Sequence, residues 1–130
     1  MMREVLKRLT GHKESAMREE ILLTNGAAVQ LDRSNWTWLA SQECDCFTAT
    51  GRQVTPRLVA LKHNDGRVLV YATVKDGFKV STAGGELLAT SEASGVAAAL
   101  GRLSAQFARG PFMLKQCLAQ IEGRPTLPVA

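Results

Sequence analysis

The chain has 130 residues and a mass of 14.1 kDa, with 16 Lys and Arg against 12 Asp and Glu, 45% hydrophobic residues and 5% aromatic ones. At this size folding buries roughly two-thirds of the surface, enough for one core without disulfides or metal. That hydrophobic fraction beside 22% charged residues excludes a disordered chain.

Met2 to Thr10 places Val5, Leu6 and Leu9 at helical spacing before Gly11, which predicts a short amphipathic N-terminal helix. Between Lys13 and Leu23 the pattern changes near Glu20, from helix-favouring residues to a strand that enters a hairpin turn at Asn25-Gly26. Ala27 to Leu31 is the expected return strand and Asp32 to Asn35 a polar loop. Trp36 to Ala40 and Cys44 to Thr50 follow as short strands.

The middle of the chain alternates most clearly. Arg67, Leu69, Tyr71, Thr73 and Lys75 fall on one side of an extended segment, and Val68, Val70, Ala72 and Val74 on the other. Turn signals at Asn64-Asp65-Gly66 and Asp76-Gly77 bracket it, so Leu58–Lys62, Arg67–Lys75 and Phe78–Thr82 read as a meander. A further turn at Ala83-Gly84-Gly85 would lead to a last strand, Glu86–Thr90. Ser91 then stands where a helix cap belongs, and Val96, Leu100, Leu103 and Phe107 form one helical face. Gly95, Gly101 and three alanines make this helix small enough to pack closely. Arg109-Gly110 ends it, Pro111 opens a second helix carrying Leu114, Cys117, Leu118 and Ile121, and Gly123 closes that one.

The expected fold is therefore an α+β domain over residues 1–123. An antiparallel β-meander sheet of five to seven strands carries an N-terminal helix and two C-terminal helices on one face, and residues 124–130 form a flexible tail. The longest uncharged apolar stretch, Ala93 to Leu100, is far short of the ~20 residues of a bilayer span. Charges at Arg3, Glu4, Lys7 and Arg8 leave no apolar signal core, and three irregularly spaced cysteines make a poor disulfide framework. The expectation is a cytoplasmic protein with reduced thiols.

Charge is uneven along the chain. Arg52, Arg57, Lys62, Arg67, Lys75 and Lys79 face only Asp65 and Asp76, a local excess of +4 that would attract phosphate or an acidic partner. The simpler reading is a solvated sheet face whose cations keep edges from pairing. Trp36 and Trp38 share one face of their strand, as core packing or as a stacking platform beside Arg52, Arg57 and Arg67.

Reactive side chains form no recognisable motif. Cys44 and Cys46 share one side of a strand and would need Cys117, His63 or His12 to complete a tetrahedral metal site, so small buried cysteines are the simpler reading. Cys117 lies on an apolar helix stripe and His63 at a turn. Gly84-Gly85 sits between strands rather than before a helix, so it makes no phosphate loop. The helix pair fails as a DNA-binding helix-turn-helix, since Arg109 and Pro111 flank its glycine and only Lys115 lies on the second helix. No catalytic residue, metal or cofactor is expected. The leading expectation is a non-enzymatic binding or adaptor domain that docks a protein partner or itself. The alternatives are a basic nucleic-acid-binding module using residues 52–79 and a small enzyme with a pocket on its sheet.

Overall fold

The computed structural model describes residues 18–123. The helix expected over Met2–Thr10, His12 and the expected tail lie outside the described residues. Within them the chain forms seven antiparallel strands in two sheets, followed by two helices. The strands are β1 (Arg18–Leu22), β2 (Ala28–Asp32), β3 (Trp36–Glu43), β4 (Cys46–Phe47), β5 (Gln53–His63), β6 (Val68–Asp76) and β7 (Lys79–Leu88). The helices are α1 (Ala93–Ser104) and α2 (Gly110–Ile121).

The larger sheet has the order β3-β5-β6-β7, with β4 paired to β5. Leu58, Ala60, Val68, Val70 and Ala72 point to one face and meet Val96, Ala99, Leu100, Leu103, Met113 and Cys117 of the two helices. Val59, Leu61, Leu69 and Tyr71 point to the other face, where Ile21, Leu23 and Leu31 of the β1–β2 hairpin cover them. The expected single sheet is thus corrected to a sheet with helices on one face and a separate two-stranded sheet on the other. The continuous apolar runs Leu58–Leu61 and Val68–Ala72 require this, since neither side of those segments can face water.

The expected turn at Ala83-Gly84-Gly85 is also corrected, because β7 runs through it without a break. Gly84 has φ +120°, and the register against β6 slips between Tyr71 and Thr73, so the glycine supplies a bulge instead of a reversal. A Cβ on Gly85 would lie 3.2 Å from Leu23 and 3.3 Å from Tyr71, so the second glycine admits the hairpin onto the sheet. Thr24 N–H donates to the Gly85 carbonyl at 2.8 Å and Thr24 Oγ1 accepts from Gly85 N–H at 3.1 Å.

Three helix expectations change as well. Glu92, not Ser91, precedes the first turn of α1, without a side-chain cap, and the helix ends at Ser104 before Phe107. A Cβ on Gly95 or Gly101 would meet nothing within 4 Å, so these glycines provide no close approach. Ala99, fully buried, lies at the packed face instead.

Candidate functional site

The hairpin covers only part of its face of the sheet. Residues paired across an antiparallel ladder share a face, so the register places Glu43, Arg57 and Thr73 together, and likewise Thr55, Lys75 and Val80. Phe47 pairs with Gln53 and Thr82 with Thr73, which extends the same surface to β4 and β7. No described element packs over this half-face. Its side chains alternate with Pro56, Leu58 and Ala72, which point to the opposite face, and it is here that the sequence passes from apolar runs to alternation.

Large apolar residues are open at this surface and its rim. Phe47 is 71% exposed, Val80 60% and Trp38 42%, and Phe78 in the β6–β7 turn is fully exposed. Between them Arg57 lies on β5 and Lys75 on β6. The Arg57 guanidinium stands 5.1 Å from the Trp38 ring centroid, and its Nε donates to Ser41 Oγ at 2.9 Å. This stacking preorganises a cation that would otherwise sample many rotamers. Beside it a cleft of about 290 Å³ is lined by Trp38, Ser41, Arg57 and Gln120. A second groove, about 630 Å³, runs between the β1–β2 turn and β7 and carries the ion pair of Arg102 with Glu86, at 2.6 Å.

The eight residues singled out from sequence do not converge. Arg57 and Lys75 share the half-face, whereas Arg52 is tied to Asp76 at 3.1 Å and Lys79 pairs in register with Asp76 near the turn. Arg67 is held by Asp65 at 2.8 Å and lies eight residues from Lys75, about 27 Å along β6. Lys62 alternates to the helix side. Trp36 is half-buried under the hairpin against His63, with ring centroids 4.8 Å apart, while Trp38 is open, so the two indoles make no continuous platform. Sequence reasoning missed Phe47, Val80, Thr55 and Thr73; the signal was the loss of apolar character on one parity of three neighbouring strands.

The reactive groups are separated too. Cys117 is fully buried, donates weakly to the Leu58 carbonyl at 3.8 Å, and desolvation pushes its thiol up to about 12. His63 Nδ1 lies 3.0 Å from Asp65 Oδ1 at the β5–β6 turn. Hydrogen bonds from Arg67, its backbone N–H foremost, hold the Asp65 carboxyl below the usual range. Among the described residues no three His, Cys, Asp or Glu side chains gather as metal ligands, and no helix is long and apolar enough to cross a membrane. No protein-family model matches the chain, and neither does any curated protein or solved structure.

Proposed function

We propose that this protein is a non-enzymatic binding domain that docks a partner protein on the half-face of its large sheet left open by the β1–β2 hairpin. The observation that supports it is the pairing of exposed anchors with placed cations: Phe47 and Val80 on the same sheet face as Arg57 and Lys75. Exposed apolar side chains interleaved with cations are the composition of an interface, with the arginine held ready by Trp38. The surface suits an acidic partner with apolar side chains of its own. A photo-crosslinking residue at Val80 should capture one partner in the cells that make this protein, and the same residue at exposed Ser94 on α1 should not. Equal capture at both positions, or none at Val80, would refute the reading.

A second reading, single-stranded nucleic acid on the same half-face, is favoured by Arg57 and Lys75 on adjacent central strands with Phe47 at the rim. Phosphates would pair with the cations and a base would stack on the phenyl ring. Fluorescence anisotropy with labelled oligo-dT and oligo-U tests it. Binding that weakens with salt and vanishes in Arg57→Glu, Lys75→Glu would support it, and no binding at low salt would exclude it.

A further inference from the structure

Cys44 and Cys46 lie where the strand that pairs with β5 is interrupted. β3 and β4 keep one continuous register along β5, with Glu43 opposite Arg57 and Cys46 opposite Val54, yet the ladder lapses at Cys44 and Asp45. Pro56 is the reason. Its carbonyl accepts Cys44 N–H at 3.1 Å, so its backbone faces this side, where a proline has no N–H to return. The ladder loses that bond, while the register keeps both cysteines on the helix side of the sheet. The Asp45 carboxylate points the other way and accepts from Thr55 Oγ1 at 2.7 Å, while its backbone carbonyl accepts weakly from Cys44 Sγ at 3.8 Å.

Both thiols are half-exposed, unlike Cys117. Cys46 Sγ folds back to the Cys44 carbonyl at 3.5 Å, which turns it toward its neighbour. The register of β3 and β4 along β5 sets the two sulfurs on the same side of the sheet, with one residue between them.

We propose that Cys44 and Cys46 form a two-coordinate site for a soft monovalent metal ion of the Cu(I) class. Alternate strand residues stand about 7 Å apart at Cα, too far for an unstrained disulfide, in which the sulfurs must close to ~2 Å. An ion between them needs the sulfurs only about 4.6 Å apart, twice a metal–thiolate bond of ~2.3 Å. Two thiolates on a monovalent ion carry one net negative charge. Thiophilic Cu(I) is satisfied by two thiolates, the number this segment presents. Binding releases the two thiol protons, and neither sulfur nor metal changes oxidation state.

Anaerobic titration of the reduced full chain with Cu(I), against the coloured chelator bicinchoninate, tests the site. One ion per chain is expected, with an X-ray absorption edge characteristic of two sulfur ligands. Cys44→Ser and Cys46→Ser should each weaken binding by about 100-fold or more, the loss of a chelate, whereas Cys117→Ser should leave it unchanged. Either Cys44→Ser or Cys46→Ser binding within about 3-fold of the parent chain, on that same effective-concentration scale, would overturn the proposal. So would loss of binding in Cys117→Ser.

Discussion

Gln120 on α2 holds both main-chain groups of Ser41 on the edge strand β3: Ser41 N–H donates to Gln120 Oε1 at 2.9 Å, and Gln120 Nε2 donates to the Ser41 carbonyl at 3.2 Å. The side-chain amide thus stands in for one residue of a neighbouring strand. At the opposite edge Gln106 Nε2 donates to the Ala83 carbonyl of β7 at 2.8 Å, and Thr24 takes both groups of Gly85. Each edge of the large sheet is therefore covered at its middle by a side chain from another element, a guard against edge-to-edge pairing.

Gln120→Leu should leave the Ser41 N–H and carbonyl partly buried without their partner, at a cost of about 1–3 kcal/mol. Urea unfolding would read this as a lower midpoint, and light scattering should show association rising with concentration. An unchanged midpoint would mean that water replaces the amide without loss.

Three glycines of the helical region should respond in opposite directions. Gly95 and Gly101 lie inside α1 with open space where a Cβ would go, so alanine at either should stabilise by about 0.5–1 kcal/mol. At Gly110 the added Cβ would fall on the Ser104 carbonyl oxygen, in backbone that no rotamer can move. Gly110→Ala should therefore cost about 3 kcal/mol or more, and thermal unfolding of the three variants would separate the cases.

Cys117 should resist alkylation in the native chain while Cys44 and Cys46 react. Its pKa, about 12 when folded, exceeds that of a free thiol, so the folded state binds its proton more tightly. Its contribution is fully present below about pH 8.5 and is lost as pH rises toward 12. Cys117→Ala should flatten the alkaline limb of the stability profile; an equally steep fall would assign it to other groups.

Asp65 has the opposite sign. Its carboxyl is held below the usual range by the Arg67 N–H and guanidinium, so its contribution is present above the unfolded pKa and is lost as pH falls through the depressed folded value. Asp65→Asn should reduce the acid dependence of unfolding, measured between pH 5 and about 2. Since the group is solvent-exposed, the change should be small and weaken with salt.

The hairpins around β6 were legible because their signals are local. Asn64-Asp65-Gly66 and Asp76-Gly77 reverse the chain where expected, with Gly66 at φ +98° and Gly77 at φ +66°. The split of the cations was not legible, since a local excess of charge has no information about which end or face of a strand each residue occupies. Arg57 and Lys75 meet across β5 and β6 only through register, and Arg67 is carried to the far end.

The amino-acid sequence by itself determined the antiparallel meander, its turns and the two C-terminal helices, because period-2 alternation, turn glycines and apolar helix stripes act over a few residues. Tertiary structure alone decided that Gly84-Gly85 is a bulge under a crossing hairpin, that Pro56 interrupts the ladder beside Cys44 and Cys46, and that no described element covers half of one sheet face. Those outcomes depend on what packs against each strand and from which side, and contacts between distant segments set that in three dimensions.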